Sequence, residues 1–416
     1  MGCACLCDDI QVTIRDNRVI HVELACELGR PSFETEREQG PEAIIAGAPC
    51  DGAAAVVRAV GLIKSARSLL ITGLRTESVE TQFHAARLAL QARAVIDPWL
   101  TTFERAWLDV ERTTGWLTGT WSEMQARADL VILLDVDPDR THPRWRERFL
   151  PPGPIPRKIV YIGEANPVTP VDQWIRYSSS EWVDRLPFSA LADSHSDSPC
   201  AAAMEIACCV TLVVGDSSKL DAHATCSSSA DADSAPASAR VRLRLETLAR
   251  WARNSTCEDR RRLVIPLTGP ANPWGAALSL TALTGGPMAM DCREGVPRFD
   301  PIGALAPRLI DTAEVDLVLF VGSASGESLE TLGHVMDRIP TIWIGPQAVT
   351  QGGTRAAVAI ASDRLGIEQH GAQVRSDGTA VESTVGMPIS PTWLSAGWTL
   401  SGILKSLADG EGEHSP

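Results

Sequence analysis

Residues 129–135 read Asp129-Leu-Val-Ile-Leu-Leu-Asp135, an unbroken aliphatic run closed at both ends by an acid. A strand with one wet face alternates apolar and polar side chains. A run with no polar position suits a strand buried on both faces, as in a parallel sheet covered by helices. Outward from this stretch, Ser68-Leu-Leu-Ile-Thr-Gly73 and Lys158-Ile-Val-Tyr-Ile-Gly163 have the same character, and Arg93 to Asp97 is strand-like. Between them the period changes. Ala55, Val56, Ala59, Val60, Leu62 and Ile63 recur on one helix face, and Glu77 to Ala92 is helical by spacing. Strands alternating with helices predict a doubly wound α/β unit.

The pattern repeats further along. Val210 to Gly215, Leu263 to Leu267, Asp316 to Gly322 and Thr341 to Gly345 are strands, separated by helical spacing over 240–254, 275–283 and 328–338. Ala222 to Ala239 is a Ser/Ala/Asp stretch without periodicity and reads as an exposed or disordered loop. Before the first unit, Ile10, Val12 and Ile14 alternate with polar residues, Asp16-Asn17 supplies a turn, and Val19 to Leu24 returns as a second strand. A helix is expected over Pro391 to Leu407. The domain reading is a Cys-containing hairpin segment over 1–50, a first α/β domain over 51–200, a second over 201–345 and a C-terminal segment over 346–416.

The composition narrows the function. The 416 residues carry 38 Lys plus Arg against 52 Asp plus Glu, a formal charge of −14. That balance argues against a general nucleic-acid binder, which needs a basic footprint. No apolar run approaches the ~20 residues of a membrane helix. Met1 to Asp9 has neither a basic n-region nor an apolar h-region, so export is not expected and the cytoplasm is the default compartment. The Met-Gly-Cys opening lacks the Ser or Thr of the myristoylation pattern, since Leu6 stands there.

Cysteine is concentrated at the start: Cys3, Cys5, Cys7, Cys26 and Cys50 out of 11. An odd count without an export signal argues against a disulfide framework. The set Cys3, Cys7 and Cys26 is similar to part of an iron–sulfur ligand set, in which a close-spaced group is completed by a remote thiolate. Buried thiols acting as small hydrophobes, and a zinc site, are the other readings; the C-x2-C pairs usual for zinc are absent. Gly73 and the Gly322-Ser-Ala-Ser-Gly326 stretch follow strands and either admit a ligand or close tight turns. Asp137-Pro-Asp-Arg-Thr-His-Pro143 follows a buried strand, where ligands gather, although Asp-Pro and His-Pro are also turn chemistry.

Cys3-Ala-Cys-Leu-Cys-Asp-Asp-Ile10 and Ala25-Cys-Glu-Leu-Gly-Arg-Pro-Ser-Phe33 resemble the N-terminal signature of the B subunit of formylmethanofuran dehydrogenase, a molybdopterin-oxidoreductase-like protein. Ala94-Val-Ile-Asp97, Arg127-Ala-Asp-Leu-Val131, Asp137 to Arg144, Pro297-Arg-Phe-Asp-Pro301 and Gly366-Ile-Glu-Gln-His-Gly371 extend the resemblance in order along the chain. The resemblance implies a tungsten- or molybdenum-ligating Cys or selenocysteine a few residues after the Val-Ile-Asp strand. Here Pro98-Trp-Leu-Thr-Thr-Phe-Glu-Arg-Ala-Trp107 puts Phe103 about there, and a phenyl ring donates nothing to a metal. The cluster set also lacks its upstream Cys.

These departures resemble the bacterial formyltransferase/hydrolase complex, in which the corresponding subunit has lost its redox role. The resemblance implies a cytoplasmic, non-catalytic scaffold in tetrahydromethanopterin-linked one-carbon metabolism, taking formaldehyde to formate through a methanofuran-type carrier. Its implied partners are the hydrolase, the transferase and the C subunit. No bound cofactor is expected beyond a vestigial [4Fe–4S] cluster on Cys3, Cys7 and Cys26, and a tungsten or molybdenum pterin is not expected. The competing readings are a catalytic tungsten or molybdenum subunit using another ligand, and an iron–sulfur electron carrier.

Overall fold

The computed structural model describes residues 5–16, 18–35, 40–153, 155–176, 199–215, 237–269, 271–324, 326–383 and 395–409. Cys3, Asn17, Trp393 and residues 222–236 of the expected loop lie outside them, while Ala237 already begins a helix.

The N-terminal strands are β1 (Gln11–Arg15) and β2 (Arg18–Glu23), an antiparallel hairpin as the alternation predicts. Next come β3 (Ala43–Ile45), β4 (Ala48–Cys50), β5 (Leu69–Gly73) and β6 (Val95–Ile96). The middle of the chain supplies β7 (Leu130–Leu134), β8 (Lys158–Gly163), β9 (Gln173–Arg176), β10 (Cys209–Gly215) and β11 (Arg261–Leu267). The remainder supplies β12 (Met290–Asp291), β13 (Arg298–Phe299), β14 (Leu317–Val321), β15 (Thr341–Gly345) and β16 (Val358–Ala361). A last hairpin joins β17 (Gly371–Val374) to β18 (Ala380–Ser383).

Two sheets carry the fold. One has five strands in the order β11-β10-β7-β8-β9, all parallel. The other has nine, ordered β13-β12-β6-β5-β14-β15-β16-β3-β4, with a parallel centre from β6 to β16 and antiparallel pairs at both margins. The fold class is therefore the expected one, α/β with two doubly wound units.

The sequential division at residues 200 and 345 does not follow sheet membership. β5, placed in a first unit, pairs with β14, placed in a second, Leu69 opposite Leu317 and Gly73 opposite Val321. The chain lays β3 and β4 at one margin of the nine-stranded sheet and β5 and β6 toward the other, leaves to make the whole five-stranded sheet, and returns to complete the first. An apolar run buried on both faces carries no label for its neighbour, so sequence order was the only guide, and here it misleads.

The helices begin where local chemistry directs. Asp51 accepts the amide of Ala54 at 2.7 Å to start the helix Gly52–Ser65, and Ser78 caps Val79–Gln91. Thr101 and Glu104 form a reciprocal capping box at the start of Thr102–Thr113. The first two helices and the C-terminal helix Ala396–Asp409 close one apolar core against the nine-stranded sheet. A second core, containing Leu70, Phe103, Trp107, Ile132, Leu212 and Val318, is shared by both sheets. Trp121 and Trp145 sit in a third, on the far side of the five-stranded sheet.

Candidate functional site

In a doubly wound sheet the strand order reverses once, and the crevice at the carboxyl ends there receives ligands. This protein has two such places. In the nine-stranded sheet the reversal falls between β5 and β14; in the five-stranded sheet it falls between β7 and β10.

At the first, both strands end in glycines with left-handed backbone. Gly73 has φ +88°, and a Cβ there would lie 2.4 Å from the Val321 carbonyl oxygen. Gly322 has φ +119°, with Thr76 Oγ1 2.5 Å from its would-be Cβ. Only glycine lets the two chain turns approach so closely. The crevice above them measures about 1430 Å³, counting the space open to solvent, and is lined by Arg75, Glu77, Trp99, Ser323, Gln347 and Arg364 among others. Gly73 and the Gly322 stretch thus both close tight turns and border a cleft.

The charges in this crevice are already engaged. Arg75 Nη2 donates to Glu104 Oε1 at 2.6 Å, and Arg364 Nε donates to Glu368 Oε1 at 2.7 Å. Glu77 is 2% exposed, its Oε2 has no hydrogen-bond partner, and burial pushes its carboxyl up to about 8. At neutral pH this acid is mostly protonated.

The second crevice has nearly closed. About 250 Å³ remains beside Phe103, Asp135, Gly215, Arg244 and Leu248. Phe103 is 1% exposed, in the first turn of its helix, with its ring 6.0 Å from that of Trp107. Leu100 and Trp107 are buried in the same core. Trp99 turns instead to the first crevice, edge-on to Phe320 at 5.5 Å. The lining beside Phe103 includes Asp135 and Arg244 but no thiolate, so a tungsten- or molybdenum-pterin ligated by sulfur at this position does not fit.

The early cysteines separate. Cys5 is 1% exposed and belongs to the core around Trp121 and Trp145, as a small hydrophobe. Cys7 and Cys26 line one cavity of about 980 Å³, with Leu6, Asp8, Phe33 and Ile367. Among the described residues no group of three or more His, Cys, Asp or Glu is placed to hold a metal ion. Cys3, the remaining member of the expected set, lies outside the described residues.

His142 proves to be a tie rather than a cleft residue. It is 3% exposed, with Nε2 2.8 Å from the Thr268 carbonyl oxygen and Nδ1 2.8 Å from Thr141 Oγ1. Asp137 accepts the amides of Val168 and Thr169, so turn chemistry accounts for this loop. What residue-by-residue reading missed is the fastening of the N-terminal segment. Arg144 donates to both carboxylate oxygens of Asp9, at 2.9 and 2.7 Å, and to Glu147 and the Leu24 carbonyl, while Arg148 pairs with Asp8 and Asp9. The hydrogen bonds from Arg144 hold the Asp9 carboxyl below the usual carboxylate range despite partial desolvation. Asp8-Asp9 and Arg144 were visible in the sequence only as fragments of two distant resembling segments.

Two doubly wound sheets sharing a core, with crevices at both reversals, define an α/β protein of two doubly wound units. The sequence is similar to the B subunit of the tungsten-containing formylmethanofuran dehydrogenase 2 of Methanocaldococcus jannaschii, 23% identical over 414 residues and 91% of each chain. It is likewise similar to the protein of the same description from Methanococcus maripaludis, 22% identical over 405 residues and 91% of each. The fold matches a chain of the formyltransferase/hydrolase complex (FhcABCD) from Methylorubrum extorquens, solved with methylofuran, at a TM-score of 0.71 and 20% identity, covering 89% of this chain and 99% of that one. No family model matches. Over nine-tenths of its length the chain is thus similar to formylmethanofuran dehydrogenase B subunits.

Proposed function

We propose that this chain is the B subunit of a formyltransferase/hydrolase assembly in tetrahydromethanopterin-linked one-carbon metabolism, and that it serves there as a non-redox scaffold. The observation that carries this reading is Phe103, buried at the position where the family resemblance places a metal ligand. Redox chemistry at a tungsten or molybdenum centre needs a soft donor, and the ring that replaces it packs as core. The formyl transfer and hydrolysis then belong to the transferase and hydrolase partners, in an assembly completed by the C subunit.

A cytoplasmic location accords with a chain whose described residues include no helix long and apolar enough to cross a membrane. A docking role is supported by large apolar side chains left exposed, among them Trp398 at 70% and, on the N-terminal segment, Ile20 at 51%. Trp107 and Trp121, in contrast, are spent on the interior.

Cys3, Cys7 and Cys26 are read as remnants of a cluster ligand set. The shared cavity of Cys7 and Cys26 favours a second reading, in which a cluster still forms there with ligands from Cys3 or a partner.

Elemental analysis of the complex purified with its partners tests both readings. The expected result is formyl-carrier turnover without stoichiometric tungsten or molybdenum; either metal at one per chain overturns the scaffold. A Cys3→Ser, Cys7→Ser, Cys26→Ser chain is expected to assemble and to support turnover. Intact assembly without turnover would show that the thiols take part in chemistry.

A further inference from the structure

The open end of the N-terminal hairpin, away from its turn, carries a pair of thiols. The ladder of β1 and β2 finishes at Gln11 opposite Glu23. Cys7 precedes one member of that pair by four residues, and Cys26 follows the other by three. Beyond the ladder the two legs stay together. Arg144 reaches both, donating to the Asp9 carboxylate on one leg and to the Leu24 carbonyl oxygen on the other. Each thiol therefore sits two residues beyond an anchor of the same guanidinium. Two residues of chain span at most about 7 Å.

Both thiols are half-buried and line the same cavity of about 980 Å³, counting the space open to solvent. The other described cysteines are placed differently. Cys5 is 1% exposed, in the core around Trp121. Burial pushes up the thiols of Cys50, Cys209 and Cys292, which disfavours the reactive thiolate. Cys208 and Cys257 are exposed beside β10 and β11 of the five-stranded sheet, away from the hairpin.

The segment also has room to move. A disulfide needs Cα atoms about 4.4–6.8 Å apart. Among the described residues β1 and β2 pair only with each other, and the clamp that fastens them is ionic. The two legs can thus close on one another without disturbing either large sheet.

We propose that Cys7 and Cys26 are a redox pair that joins in a reversible disulfide on exposure to a peroxide. One thiolate attacks hydrogen peroxide, the O–O bond breaks, and the sulfur becomes a sulfenic acid as the first oxygen leaves as water. The second thiol attacks that sulfur, the S–S bond forms, and the sulfenic oxygen leaves as a second water. Two thiols lose two electrons and two protons, the peroxide becomes two waters, and a dithiol reductant restores both thiols. The bond ties the hairpin legs where Arg144 already gathers them. Disulfides of this transient kind are the usual ones in reducing compartments. The pair is independent of the scaffold role, and an iron–sulfur cluster on the same thiols excludes it.

The test uses the complex purified with its partners, freed of reductant, exposed to hydrogen peroxide, alkylated and mapped by mass spectrometry without reduction. The expected product joins the Cys7 and Cys26 peptides with loss of two hydrogens, and dithiothreitol separates them. Cys7→Ser and Cys26→Ser should each abolish the link, whereas Cys3→Ser and Cys5→Ser should keep it. Oxidation should also slow amide exchange in β1 and β2 about ten-fold, because a cross-link removes open states of the hairpin. A link that survives in Cys7→Ser, no link at excess peroxide, exchange unchanged by oxidation, or iron held at cluster stoichiometry in the starting complex would each overturn the proposal. If a Ser variant fails to fold, fragment ions of the parent's joined peptides identify the bridged pair.

Discussion

Between β5 and β14 the crevice holds about 1430 Å³ above two glycine turns, whereas between β7 and β10 about 250 Å³ survives beside Phe103. The topology is the same in both places: parallel strands, a reversal of order, carboxyl ends on one side. The difference lies in the side chains delivered by the segment after β6. The capping box of Thr101 and Glu104 starts a helix there, and that helix drives Phe103 and Trp107 into the core shared by the two sheets. A crevice set by topology is thus an opportunity, and a single short segment decides whether it stays one. The open crevice keeps a different cost, a buried carboxyl at Glu77 whose Oε2 finds no partner.

The largest effect is expected where the filled crevice is emptied. Phe103→Ala should cost about 3–5 kcal/mol in urea unfolding, because the cavity opens inside a core shared by both sheets. A loss below about 1 kcal/mol would mean that the neighbours collapse into the space and that Phe103 is not what closes it.

The open crevice should respond to pH through Glu77. Its folded-state value of about 8 lies above the ordinary range of a free glutamate, so the unfolded chain loses its proton first as pH rises. Stability is therefore full below about pH 4 and declines progressively as pH climbs toward 8. Glu77→Gln removes this dependence. The variant should gain on the order of 3 kcal/mol more over the parent at pH 8 than at pH 5. Parallel stability curves for parent and variant between these pH values would contradict a protonated Glu77.

Smaller effects belong to the N-terminal segment, which is fastened by charge rather than by filling. Asp9 has a depressed folded-state value, so its clamp on Arg144 is complete above about pH 4 and is lost as pH falls through that lower value. Because Asp9 is partly exposed, Asp9→Asn should cost only about 1 kcal/mol at pH 7, with the difference from the parent vanishing in acid. Amide exchange in β1 and β2 would report it. The smallest change is expected for Cys7→Ser and Cys26→Ser singly, each no more than about 1 kcal/mol in thermal unfolding, since both thiols are only half-buried at a cavity wall. A larger loss at either would mark a thiol engaged by something the packing of this chain does not supply.

Several elements were legible from local pattern alone. The apolar runs over Leu69–Gly73, Leu130–Leu134 and Lys158–Gly163 are strands where the sequence places them, and Ala55, Ala59, Val60 and Ile63 form the buried helix face that their spacing predicts. The site was legible only in part. The phenyl ring at Phe103 could be seen in the sequence, but Cys5 and Cys7 looked alike there and were told apart only by packing: Cys5 is buried in the Trp121 core, while Cys7 packs against that core and also borders a cavity. His142 looked poised in its loop until its partner, the Thr268 carbonyl oxygen, came from 126 residues away.

The sequence by itself determined the α/β class, the hairpin at the start and a phenyl ring rather than a donor at Phe103, because hydrophobic period, turn residues and side-chain chemistry are local properties. The tertiary structure alone decided that β5 pairs with β14 across the whole five-stranded unit, that one crevice stays open while the other is filled, and that Arg144 holds Asp9. Each of these is a choice among partners distant in sequence. Such choices are settled by which buried faces and charges meet once the chain has closed, and no local pattern encodes them.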